Sequence, residues 1–293
     1  MDSVLITGAL GLVGRWAVDR FAEDYDVIAV DRTRPDNPRD DVEYRAADLT
    51  EQGPAWELVL AEEPDAIVHL AAIPAMGMRA GAETFTTNVT AAYNVLTAAG
   101  EAGIPVAWAS SECAYGEVFA DEPRAPESLP VETDDRTDPE DPYGTSKVAT
   151  EAIADSVTRK YDVQVTTVRP SWVQEPGDYH TPDARAEFDP EDPGLQGNYW
   201  SYVDVRDLVA LFRAALEVGH DGHEIYNGMA DENFIDYPTA DAIEAAFGIR
   251  PEPCEIEGDQ CAFSNAKAER ELGWSPEHSW RTAEDEDVPR PEL

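Results

Sequence analysis

Val4-Leu5-Ile6-Thr7-Gly8-Ala9-Leu10-Gly11-Leu12-Val13-Gly14 is an apolar run that opens into three glycines spaced three apart. The apolar residues fit a buried strand. From Gly11 to about Ala22 the spacing turns helical, with Val13, Ala17 and Phe21 on one face. Glycines between a strand and a helix are what a dinucleotide pyrophosphate requires. Gly8 permits the tight turn, Gly11 lets backbone approach the phosphates, and Gly14 lets the helix pack on the sheet. The first N–H groups of that helix, on Leu12 and Val13, carry the partial positive charge that an anion needs.

The pattern continues outward as alternating strands and helices. Val27–Val30, Val42–Arg45, Ala66–Leu70, Val106–Ala109, Val163–Val168 and Glu224–Asn227 read as strands. Helices are expected near Ala55–Ala61, Glu83–Ala99, Tyr143–Tyr161, Asp204–Glu217, Thr239–Phe247 and Asn265–Leu272. The order β-α-β with buried strands predicts an α/β fold, a Rossmann-type doubly wound parallel sheet. Residues 1–170, with 204–227 returning to them, are expected to bind the dinucleotide. Residues 171–203 and 228–293 would form a small substrate lobe. Tyr115–Pro142 reads as a long loop over the site, Pro170–Asn198 as irregular, and the last dozen residues as a frayed tail.

Asp31 ends the second strand about 20 residues past the glycines, where a carboxylate accepts hydrogen bonds from the adenosine ribose of NAD. Arg32 and Arg34 follow and can neutralise a 2′-phosphate, so NAD and NADP are both expected. Asp48 and Leu49 fall near the adenine, and Asp48 reads equally well as a cap.

Tyr143 and Lys147 lie four residues apart and share a helix face. A phenol with a pKa of about 10 is a poor base at neutral pH, and a neighbouring ammonium together with an oxidised nicotinamide should lower it. Ser110 and Ser111 follow the strand Val106–Ala109, where hydroxyls meet ligands at the sheet's carboxyl edge.

With 61 acidic and 21 basic residues, the chain carries a formal charge of −40, spread along its whole length. Such a surface repels phosphate, which argues against nucleic acid and anionic membranes as partners. It resembles surfaces adapted to molar salt, where the Debye length falls to about 3 Å. No apolar stretch of about 18 residues occurs, and a strand begins within three residues of Met1. A cytoplasmic protein without a leader is therefore expected. The three cysteines, Cys113, Cys254 and Cys261, form no CxxC pair, and no metal site is expected.

The assembled motifs resemble the extended short-chain dehydrogenases/reductases, the superfamily of NAD-dependent sugar epimerases and dehydratases. The resemblance runs through Thr7–Gly14, Asp31, Asp48-Leu49, His69-Leu70-Ala71-Ala72, Asn88, Ser110-Ser111 to Tyr115-Gly116, Tyr143–Lys147, Arg169-Pro170 and Tyr202–Asp207. It ends at Lys267-Ala268 and Leu272-Gly273-Trp274. It implies that Tyr143 is the base, Ser111 the catalytic serine and Lys147 their partner at the nicotinamide ribose. Leu70, Ala71, Ala72 and Asn88 would also border the cofactor. It further implies a homo-oligomer paired through helices like Glu83–Ala99 and Pro142–Tyr161.

Within that superfamily the departures are informative. Dehydratases place two acids after the catalytic hydroxyl, whereas here Ser111 precedes Glu112 and then Cys113. Nucleotide-sugar 4-epimerases hold a pyrophosphate with arginines, which are few between Ser171 and Arg250. The segment Ser171 to His180 is similar to uronate dehydrogenases, with His180 where their carboxylate-gripping arginine stands and Leu12 replacing a glutamine. The resemblance thus implies oxidation of a free, neutral aldose, with Glu112, Ser171 and His180 as pocket residues. Epimerase and uronate dehydrogenase are the alternatives.

Overall fold

The computed structural model describes residues 1–293. Seven parallel strands form one sheet: β1 (Ser3–Thr7), β2 (Asp26–Asp31), β3 (Val42–Ala46), β4 (Ala66–His69), β5 (Val106–Ala109), β6 (Val165–Pro170) and, as the seventh strand, a segment at His223–Gly228. In space the order is β3-β2-β1-β4-β5-β6 followed by His223–Gly228. Thr7 at the end of β1 is in register with Val30 on one side and His69 on the other. Strand order reverses between β1 and β4, and ligands of such sheets bind in the crevice beyond that reversal. The expected fold class is the one observed.

Helices cover both faces, which is why the strands are apolar throughout rather than alternating. On one side α1 (Leu12–Phe21) packs with a later helix, Val205–Val218, around Ile6, Trp16, Phe21, Leu208 and Phe212. On the other lie α2 (Gln52–Glu62), α3 (Gly81–Ala102) and α4 (Pro142–Tyr161), enclosing Leu5, Ile67, Leu96 and Trp108. A third buried cluster joins Leu129, Tyr199, Trp200, Tyr202, Phe234, Ile243 and Trp280.

The structure corrects two local expectations and adds a long-range tie to a third. The stretch after Pro170 contains a short strand, β7 (Trp172–Gln174), paired with β8 (Tyr202–Asp204), and a helix, α5 (Thr181–Ala186). These elements are too short to show a period. The long loop before α4 is tied to the distant chain end, with Leu129 N–H donating to Pro253 O at 2.9 Å and Val131 N–H to Ala262 O at 2.7 Å. The carboxyl-terminal segment is docked rather than frayed. Arg290 pairs with buried Glu175, and Pro291 is itself buried.

Candidate active site

The glycine turn has the shape of a cradle. Gly8 has φ +69°, and a Cβ there would sit 2.8 Å from Ala71 N. A Cβ on Gly14 would lie 2.0 Å from Gly8 O, so helix α1 can approach the turn only without a side chain. No side chain caps α1, and its first internal hydrogen bond runs from Arg15 N–H to Gly11 O. The N–H groups of Leu12 and Val13 therefore remain for an anion. These features fit a dinucleotide pyrophosphate.

Beside the turn, Thr7 Oγ1 accepts from the N–H groups of Leu70 and Ala71, both at 3.2 Å. Its own proton faces His69 Nδ1 at 2.7 Å. Burial holds that imidazole neutral, with its pKa pushed down to about 3. Asp31 Oδ2 accepts from Leu10 N–H at 3.0 Å, so the ribose-binding candidate also braces the glycine turn. Arg32 and Arg34 beside it are exposed. Asp48 Oδ1 accepts from Thr50 N–H and Oγ1, a turn rather than a helix cap, while Leu49 is buried and its carbonyl accepts from Asn94.

Leu70, Ala71, Ala72, Asn88, Ala109 and Lys147 line one cleft. The polar atoms of Asn88 pair with Ile73 N–H and O and with Ser146 Oγ, so Asn88 pins the loop after β4.

Asp141 caps α4 through the N–H groups of Tyr143 and Gly144. That cap fixes Tyr143 in the first turn, and Lys147 follows one turn later. Lys147 Nζ is 5.3 Å from the Tyr143 ring centroid and donates to Ala109 O at 2.8 Å. Ser111 Oγ accepts from Cys113 N–H and favours the ionised form of Tyr143. Serine, tyrosine and lysine thus meet at the carboxyl end of β5.

The protein's own groups do not by themselves lower the phenol pKa. Burial pushes the Tyr143 phenol up rather than down, and Lys147 falls to about 8 for the same reason. Desolvation disfavours both charged forms here and is the largest cause of each shift.

Sequence reasoning did not single out the support beneath the site. Arg169 and Glu151 form a buried two-point ion pair, with Nε–Oε1 at 3.0 Å and Nη2–Oε2 at 2.7 Å. Ser110 Oγ donates to the same carboxylate at 2.7 Å. The end of β5, helix α4 and the end of β6 are locked together by it. The spacing of Glu151 four residues after Lys147 was the available signal.

Of the expected substrate residues, Glu112 and Ser171 come together, both buried. His180 is exposed, its ring stacked on Trp172 at 6.2 Å and making no hydrogen bond.

A doubly wound sheet with a glycine cradle and a Ser-Tyr-Lys group at its carboxyl edge defines a dinucleotide-binding α/β protein of the dehydrogenase/epimerase type. The chain belongs to the NAD dependent epimerase/dehydratase family, whose pattern it matches over residues 4–227. It is 24% identical to L-arabinose 1-dehydrogenase (NAD(P)(+)) of Haloferax volcanii, over 86% of this chain and 96% of that one. It is 25% identical to UDP-glucose 4-epimerase of Corynebacterium glutamicum, over 94% of this chain and 91% of that one. Among solved structures, UDP-glucose 4-epimerase with UDP-glucose from Thermotoga maritima superposes with a TM-score of 0.71 at 22% identity, covering 96% of both chains.

Proposed function

We propose that the protein oxidises the anomeric carbon of a free, neutral aldose to the lactone, using NAD or NADP. The observation that carries this reading is the state of the arginines between residues 171 and 250. Arg185 is engaged by Glu284, Arg206 by Asp204 and Glu286, Arg213 by Asp24 and Glu217, and Arg250 by Asp241 and Glu244. A nucleotide-sugar pyrophosphate or a uronate carboxylate calls for a free guanidinium fork. A sugar without an anionic group needs none.

Residues 171–203 and 228–293 would hold the sugar against the dinucleotide-binding remainder. The cradle of Gly8, Gly11 and Gly14, with Asp31, would seat the dinucleotide, which when bound would supply the hydride acceptor for C1. Tyr143, as phenolate, takes the proton of the C1 hydroxyl while Ser111 orients that oxygen. The electron pair left on oxygen becomes the lactone C=O as the hydride departs. Lys147 stabilises the phenolate. The 24% identical arabinose 1-dehydrogenase supports this assignment, and the 25% identical epimerase supports UDP-sugar 4-epimerisation as the second reading. The acidic surface further reads as adaptation to molar salt.

The test is a panel of free aldoses, uronates and UDP-sugars incubated with NAD or NADP. Reduced cofactor formed with neutral aldoses is expected. Turnover of uronates only would overturn the neutral-sugar assignment, and interconversion of UDP-sugars would establish the second reading.

A further inference from the structure

Two cations are buried in this chain, Lys147 and Arg169. Arg169 meets its charge in Glu151 through two hydrogen bonds. Lys147 makes no ion pair, although the chain holds 61 acidic residues, and its ammonium donates to Ala109 O. A buried charge is costly unless something offsets it, and here that something is not a carboxylate. On the same helix, Glu151 is engaged with Arg169. Burial holds Cys113, in the turn after β5, as the thiol, and His69, at the end of β4, as the neutral imidazole. Two ring faces remain. The ammonium stands 5.3 Å from the Tyr143 centroid and 5.7 Å from that of Trp108. Both distances fall within the roughly 6 Å over which an aromatic face attracts a cation.

Trp108 is buried in β5, in register with His69 of β4 and Thr167 of β6, and it lines the same cleft as Lys147. Its indole N–H is sealed from solvent without a partner. Phenylalanine would fill a core position without that unmet donor; what tryptophan adds is the stronger face for a cation.

We propose that Trp108 is a positioning residue for the reaction: its ring face carries the Lys147 ammonium away from water and leaves that group's N–H donors open. A carboxylate in its place would take the donors along with the charge. An ammonium has three, and with one fixed on Ala109 O, the others are free for the Tyr143 oxygen and the ribose of a bound dinucleotide. This inference rests on the roles proposed above for Tyr143 and Lys147, and it holds equally for a free aldose or a UDP-sugar.

The test reads the lysine directly, in the protein without cofactor. The chain has three lysines, Lys147, Lys160 and Lys267, so lysine labelled with carbon-13 at Cε gives three signals. The signal missing in Lys147→Met is assigned, and its titration midpoint is followed by NMR. Growing the protein on fluorinated tryptophans withdraws electron density from the ring face at nearly constant shape. The Lys147 midpoint should fall stepwise with added fluorine, and by about one pH unit in Trp108→Leu, while Lys160 and Lys267 do not move. If Trp108 served only to exclude water, Trp108→Leu would admit water and raise the midpoint. An unchanged or higher midpoint across the fluorinated series would overturn the inference, even where Trp108→Leu fails to fold. The alkaline limb of turnover should shift with the midpoint, and an equal loss at every pH would overturn the inference too. Full turnover in Tyr143→Phe would instead defeat the functional reading, with the lysine midpoints still judged by themselves.

Discussion

Arg290, three residues from the end of the chain, closes on the buried carboxylate of Glu175 with Nε donating to Oε1 at 2.8 Å. The same carboxylate accepts the indole N–H of Trp16 at 2.7 Å. One residue earlier, Arg15 donates to Leu10 O in the glycine turn at 3.3 Å and to Pro291 O at 3.4 Å. The chain end therefore links the glycine turn to the segment that follows Ser171. Replacing Arg290 with Ala leaves a buried carboxylate without its cation. Because the guanidinium is half exposed, a cost of about 2 kcal/mol is expected, below the range for fully buried pairs. Denaturant titration measures it, and fluorescence titration with NADH should show weakened binding.

How much of this was written in the sequence depends on distance along the chain. The glycine turn, Asp31 and the pair Tyr143/Lys147 were legible because each works through a local period: a strand ending in glycines, or four residues on a helix. The Arg169–Glu151 pair and the Arg290–Glu175 contact join residues 18 and 115 apart; helix spacing puts Glu151 on the face of Lys147 but does not name Arg169 as its partner, and nothing local announces Arg290. The burial around Tyr143 is hidden for a related reason. Sequence shows that a lysine is near, but it does not show how completely α4 and β5 exclude water.

Removing the phenolic oxygen tests the chemistry with little structural disturbance. Tyr143→Phe keeps the ring packed against Phe119 and leaves the Asp141 cap in place. Turnover should fall by a factor of about 10² to 10⁴, the usual worth of a positioned acid or base. Cofactor affinity measured by NADH fluorescence should change little. Full turnover in this variant would remove Tyr143 from the reaction.

Gly14→Ala asks whether the cradle is as tight as its geometry indicates. The added methyl would meet Gly8 O at 2.0 Å and Ala9 Cα at 2.8 Å, both backbone atoms that can yield only by opening the turn. NADH binding should be lost while the far-UV circular dichroism spectrum persists. Unchanged affinity would show that the dinucleotide does not sit on this turn.

Lys147 makes stability depend on pH in a defined window. Its folded pKa is depressed to about 8 from an ordinary value of 10.5, so the unfolded chain binds more protons between those two values. Stability should therefore rise with pH from about 8 to 10.5, by at most about 1.4 kcal/mol per pH unit. Below pH 8 both states hold the proton and this contribution is flat. Lys147→Met should abolish the rise and leave the rest of the curve in place. Thermal melts of both proteins across that interval check the difference, and parallel curves would show that burial does not depress this lysine.

The surface charge predicts the widest response. Basic residues are so outnumbered that many arginines are shared between two acids: Arg39 by Asp19 and Asp41, Arg45 by Glu43 and Glu62, Arg281 by Asp236 and Asp259. Carboxylates outnumber cations about three to one, so most of their mutual repulsion is left uncompensated, and the net charge is −40. At 0.1 M salt the Debye length is about 10 Å, long enough for neighbouring carboxylates to interact, and at 1 M it is about 3 Å, shorter than most of their separations. Repulsion should thus weaken the fold in dilute buffer even though the shared ion pairs gain strength there, because exposed pairs contribute at most about 1 kcal/mol each. The melting temperature should rise steadily from dilute buffer to molar sodium or potassium chloride. A melting temperature independent of salt over that range would mean that the acids are far enough apart to be tolerated without screening.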